Sequence, residues 1–269
     1  MSMIVKFAAT SLALGAISFA GIAKAESYTF AQYSAITPGA NIEWKNSGSN
    51  GASGKSGSIN TIATPGSSVA GSRAVAFSFL QPSISPYVNS VTANFTLFAT
   101  ATTTPAVVVG GFIVQQNIQG TFSFLSTTEI TVGTNVFAIG SNLLSGSFSL
   151  ASIGGQRSGA AGSFSASTTA ASTVTYTSDF LSFIPTNDRD FGLALTSITS
   201  VLQATPTSSS TPTNALRTFK AVSSGSFSSD PAPEVTAVPE PAVWGLMILG
   251  FGMVGVQARR RARKTVYAV

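Results

Sequence analysis

The 269-residue chain is only 9% charged and contains neither cysteine nor histidine, which removes disulfides, thiolate nucleophiles, Cys/His zinc sites and every Ser-His-Asp triad. Its formal charge of +5 belongs to the two ends. Between them Lys45, Lys55, Arg73, Arg157, Arg189, Arg217 and Lys220 face Glu26, Glu43, Glu129, Asp179, Asp188, Asp190, Asp230 and Glu234, a near-neutral balance with no basic stripe, so nucleic acid is not expected as a partner.

The first segment, MSMIVKFAATSLALGAISFAGIAKAES, has Lys6 ahead of an apolar stretch from Phe7 to Ile22. Ala23-Lys24-Ala25 follows as an A-x-A cleavage site, so residues 1–25 read as a secretory signal helix that is removed. The mature protein then begins near Glu26, outside the cytoplasm.

Residues 26–227 alternate short apolar or aromatic runs with Gly/Ser/Thr/Asn turns. In chain order the runs are Tyr28–Tyr33, Ala74–Phe79, Thr92–Ala99, Phe112–Asn117, Gly120–Phe124, Val136–Ile139 and Gly146–Leu150. Ser163–Ala166, Thr173–Thr177, Phe180–Ile184, Phe191–Ile198 and Leu216–Val222 complete the series. Period-two patterning with β-branched and aromatic residues predicts strands, and no amphipathic helix is evident. The expectation is an all-β chain forming a single β-sandwich or barrel-like domain with Phe in its core. Asn46–Gly71 reads as a long loop or weak hairpin, and Ala204–Asn214 as a second loop. Gly-Ser-Phe-Ser recurs at Gly146, Gly162 and Gly225, with Gly-Thr-Phe-Ser at Gly120. Irregular spacing excludes a solenoid, leaving strand starts with glycine at a bend and Phe turned inward.

Candidate chemistry is sparse. Asp179, Asp188 and Asp190 offer oxygen ligands for Ca²⁺, but Arg189 interrupts them and no D-x-D-x-D-G loop is present. A solvated turn with a local ion pair is the competing interpretation. A carbohydrate-acting hydrolase would need a carboxylate pair, drawn from acids such as Glu43, Glu129 or Asp179. Trp44, Tyr33 and Tyr87 could stack on sugar rings or pack in the core. No cofactor is expected.

Residues 228–238 read as a Pro/Ala stalk. Then VPEPAVWGLMILGFGMVGVQARRRARK places Pro239-Glu240-Pro241 and Trp244 before an apolar run and a basic cluster. Residues 242–258 could form a single transmembrane helix, with the arginines on the cytoplasmic side. The segment 239–264 resembles the PEP-CTERM sorting signal, in its PEPxxWA variant, although Gly245 stands where that pattern has alanine. The resemblance implies recognition by exosortase, a membrane-embedded cysteine transpeptidase or protease. Pro239, Glu240, Pro241 and Trp244 would form the sorting signal, and Arg259, Arg260, Arg261 and Arg263 the stop-transfer element. It also implies a Gram-negative setting: an inner-membrane intermediate with a transient single span, then the outer surface or extracellular matrix. The expected role is a non-enzymatic structural or binding protein associated with biofilm or extracellular polysaccharide. The alternative is the hydrolase.

Overall fold

A computed structural model of the chain describes residues 27–47, 55–102, 106–184, 188–204 and 216–236, together with Leu249, Phe251 and Met253. Its strands are β1 (Tyr28–Ala35), β2 (Ile42–Asn46), β3 (Lys55–Thr61), β4 (Arg73–Phe79), β5 (Val91–Thr102), β6 (Val107–Val109), β7 (Phe112–Ser126) and β8 (Ile130–Val132). They continue as β9 (Asn135–Phe137), β10 (Asn142–Gln156), β11 (Gly162–Ser167), β12 (Val174–Thr177), β13 (Leu181–Ser182), β14 (Asp188–Thr199), β15 (Phe219–Asp230) and β16 (Glu234–Val235).

The pairings close on themselves. β1 and β2 lie one after the other along β15, β4 and β3 along β5, and β5 and β6 along β7. β12 and β11 lie likewise along β10. Each such couple is one wall strand with an interruption. The wall therefore runs β1/β2, β3/β4, β5/β6, β7, β10, β11/β12, β14, β15 and back to β1/β2, antiparallel throughout. This is an up-and-down barrel of eight wall positions, a size whose interior side chains just fill. Closure selects the barrel from the two all-β architectures expected.

Alternation sends one set of side chains inward. Phe95 stacks on Phe124 with centroids 4.6 Å apart and planes at 8°, while Tyr33, Phe77, Phe122 and Phe227 also surround Phe124. Phe148, Phe164 and Phe191 extend the cluster. At the end where β1 starts and β15 finishes, here the exit end, Phe180 lies against Phe79 and stacks on Phe137.

Three of the four interruptions are bridged by a side chain. Between the parts of β15 paired with β1 and β2, Ser223 N donates to Asn41 Oδ1 at 2.7 Å and Ser223 O accepts from Asn41 Nδ2 at 3.2 Å. Asn41 thereby replaces a missing strand partner. Thr61 Oγ1 accepts from Leu97 N at 3.1 Å where β5 passes from β4 to β3. Tyr176 Oη donates to Asp190 O at 2.6 Å, joining β12 to β14. Buried backbone groups must find partners, and these residues let the wall bend without leaving orphans.

The recurring Gly-x-Phe stretches also serve closure, although not as expected. All four phenylalanines are buried, but Gly120, Gly146 and Gly225 sit inside β7, β10 and β15; only Gly162 opens a strand. Gly146 pairs with Phe122, and Phe148 pairs with Gly120. Gly146 leaves room for its neighbour's ring, since a Cβ there would stand 2.8 Å from Phe122 Cζ, whereas Gly120 leaves room for β5, since a Cβ there would stand 2.3 Å from Ala99 Cβ.

Asn46–Gly71, expected as a long loop or weak hairpin, takes the hairpin form: β3 pairs antiparallel with β2 as a wall strand, and Ile59 reaches the core opposite Trp44. One further reading is corrected. The expected stalk 228–238 begins inside β15, and its next residues pack on the barrel. The proposed signal helix lies outside the described residues. Of the proposed span, Leu249, Phe251 and Met253 are helical and exposed, and no helix among the described residues is long and apolar enough to cross a membrane.

Candidate functional site

The C-terminal chain is fastened to the exit end. After β15, Gln81 Nε2 donates to Pro233 O at 2.5 Å. Leu181 pairs with Val235 and Ser182 with Glu234. Thr236 N donates to Phe180 O at 3.1 Å, and its hydroxyl donates to Asp179 O at 3.2 Å. Folded structure thus reaches Thr236, three positions before Pro239.

The axis of the barrel sorts the charges. Glu129, Asp179, Asp188, Asp190, Asp230 and Glu234 all lie at strand ends or connections of the exit end, where Arg189 is the accompanying cation. At the far end Lys45 is the penultimate residue of β2, Lys55 starts β3, Arg157 follows β10 and Arg217 precedes β15. Among the described residues of the far-end connections, 47, 110–111, 157–161, 200–204 and 216–218, there is no Asp or Glu. Near neutrality of the whole therefore hides a polarised molecule, a feature sequence counting missed because strand direction decides it.

Grooves mark the surface of the described residues. One of about 590 Å³ crosses the outer wall of β4, β1, β15 and β14, lined by polar and small residues including Gln32, Ser34, Ser78, Asn89, Ala194 and Ser226. Another, about 530 Å³, lies at the far end between Asn46, Ser200, Val201, Gln203, Arg217 and Thr218. There Arg217 Nη1 donates to Gln203 Oε1 at 2.8 Å.

Of the three weak calcium candidates, Asp179 is engaged in the wall. Asp179 Oδ2 accepts from Asn142 N at 2.7 Å and fixes the start of β10. Asp188 stands directly opposite Asp230, and Asp190 opposite Ser228. Among the described residues no group of three or more acids could hold a metal. Instead of an ion pair in a turn, Arg189 lies 5.9 Å from the Tyr176 ring centroid and 5.7 Å from that of Phe183, and donates to Ile184 O at 3.0 Å. Burial, with Asp190 adding to it and Arg189 opposing, pushes the Tyr176 hydroxyl well above its ordinary range. Tyr33 is pushed up by burial, and its hydrogen bond to Ser223 at 2.8 Å offsets part of that rise.

Of the hydrolase candidates, Glu43 is buried on the flank, where Oε1 accepts from Ser68 Oγ at 2.8 Å. It pairs with Lys220, whereas Asp188 pairs with Asp230 at the other end of β15. Those positions are separated by roughly 33 Å at about 3.3 Å per residue. A glycosidase pair needs about 5–9.5 Å, so Glu43 cannot join the exit-end acids. Trp44 and Tyr33 are core residues, while Tyr87 is exposed in the β4–β5 connection. Ala23, Ala25, Pro239, Glu240, Pro241, Trp244, Arg259, Arg260, Arg261 and Arg263 lie outside the described residues.

The PEP-CTERM protein-sorting motif matches residues 237–261, beginning where the described body stops at Thr236. The motif marks an exosortase substrate exported through the membrane to the cell surface. No curated protein and no solved structure matches the chain.

Proposed function

We propose that this chain is an extracellular-matrix or surface protein with a structural or binding task, held transiently by a single span and then released from it by exosortase. The observation that carries this reading is the direct abutment of the sorting motif on the folded barrel. A Pro-Glu-Pro stretch cannot continue a helix and is presented extended to a processing enzyme. The six residues 237–242 after Thr236 reach about 20 Å when fully extended, so the exit end stays close to the bilayer while residues 242–258 span it. A non-catalytic task is supported by the ring-filled interior and by the separation of Glu43 from the exit-end acids.

Replacing Glu240→Ala tests the sorting role in the native host. The expected outcome is a larger, membrane-bound species with no released product. Unchanged release, or a mature C-terminus far from residue 239 by mass spectrometry, refutes it.

A further inference from the structure

Resting on the sorting role above, we propose that residues 231–236 form a strap that must peel from the barrel before exosortase can cut, so that strap opening sets the rate of processing. Ser229 Oγ donates to Pro231 O at 2.9 Å, and Gln81 Nε2 donates to Pro233 O. Leu181 and Ser182 pair with Val235 and Glu234. Thr236 donates twice, from its backbone to Phe180 O and from its hydroxyl to Asp179 O.

The two sides of this contact differ in rigidity. The seat belongs to the core: Phe180 and Leu181 are buried, and Phe180 stacks on Phe137 with centroids 4.0 Å apart. Asp179 is tied to Asn142 through both its backbone N–H and its carboxylate. The strap buries only Pro233 and part of Val235, while Ala232, Glu234 and Thr236 are exposed. β13 and β16 make a two-stranded sheet of their own, so opening it leaves every pairing of the barrel wall in place. Segments with few buried apolar contacts open locally while the rest of a fold stays intact.

Reach makes this opening decisive. With the strap closed, Pro239 lies within about 10 Å of the fixed Thr236, at about 3.3–3.6 Å per residue. With the strap open, the fixed point moves back to Asp230 and the reach grows to about 30 Å. A processing enzyme that takes its substrate as an added strand uses main-chain hydrogen bonds along the segment. Closed, the strap has already committed Pro233 O and Thr236 N to the barrel, and each backbone group has one donor or acceptor to give. The barrel itself then occupies the space beside the segment to be cut.

The test follows processing of the full chain by pulse-chase in the native host. Ser182→Cys combined with Glu234→Cys places a disulfide across the strap. Both positions are exposed and directly opposite, and the chain has no cysteine of its own. Opposite residues of an antiparallel pair stand about 4.5–5.5 Å apart at Cα, within disulfide range. Because the rate scales with the open fraction, the oxidised variant should be processed at less than roughly a tenth of the wild-type rate, and dithiothreitol in the chase should restore it. Gln81→Ala, remote from the motif in sequence, should speed processing by about two- to tenfold, the effect of losing one hydrogen bond. Wild-type processing of the oxidised variant, a block that dithiothreitol does not relieve, a disulfide that fails to form, or an unchanged or lower rate in Gln81→Ala overturns the strap. Blocked Glu240→Ala beside a freely processed oxidised variant sinks the strap alone. Normal processing of Glu240→Ala beside a reversible block by the disulfide sinks the sorting role alone.

Discussion

Two glycines in one strand should respond to the same substitution with opposite signs. Gly146 and Gly154 both lie in β10. A Cβ on Gly146 would stand 2.3 Å from Thr175 O and 2.8 Å from Phe122 Cζ, so both β12 and an interior ring must move. Around Gly154 the nearest atoms are Ile113 O at 3.8 Å and Val114 Cγ2 at 4.0 Å, ordinary contact. Overpacking costs about 1–3 kcal/mol, while removing a glycine's unfolded-state freedom at a permissive site contributes about 0.4–1 kcal/mol. At about 2–4 °C per kcal/mol for a body of this size, Gly146→Ala should lower Tm by about 2–12 °C. Gly154→Ala should raise it by about 1–4 °C. Thermal unfolding followed by near-ultraviolet circular dichroism measures both. Shifts of the same sign and size would refute the interlocking of glycines and rings across β7 and β10.

Phe124→Ala removes the ring at the centre of the aromatic cluster and should cost about 3–5 kcal/mol, against less than about 0.5 kcal/mol for Phe98→Ala on the outer face; denaturant midpoints would compare them, and equal losses would contradict the inward register of β7. The two raised tyrosines predict alkaline instability. Tyr33 and Tyr176 are kept neutral in the fold, whereas in the unfolded chain they ionise near pH 10. Their stabilising contribution is therefore complete below about pH 10 and is lost as pH rises above it. Urea midpoints at pH 8, 10 and 11 should fall only in the last interval, with phenolate absorbance appearing as the fold is lost; a flat profile counts against burial of these hydroxyls.

Most wall strands were legible because period-two burial writes itself into runs such as Thr92–Ala99 and Phe191–Ile198. β3 was hidden because Lys55–Thr61, KSGSINT, presents few apolar anchors and relies on Ile59 beside Trp44. The stalk reading failed for a related reason. Ser228-Ser229-Asp230 carries no apolar anchor, yet Ser229 is buried and β1 pairs along Ser228 and Ser229. Bridging roles of Asn41, Thr61 and Tyr176 depend on which strands become neighbours, and no local pattern reports that. The sorting signal was legible because a processing enzyme reads it as a linear segment, whereas the separation of charges between the barrel's ends exists only after the strands are aligned.

Closure of the wall joins its first strand to its last: Tyr33 and Ser223, 190 positions apart, share a hydrogen bond. A chain crossing a membrane from its N-terminus delivers β1 early and β15 last. Until Phe219 and its successors emerge, β1 and β14 remain open edges beside exposed phenyl rings, and long-range pairing of this kind is slow and prone to misassociation. The apolar stretch starting at Ala242 follows Asp230 by only a dozen residues. On the single span proposed for residues 242–258, β15 would therefore complete the wall at almost the same stage of export as the tail enters the bilayer.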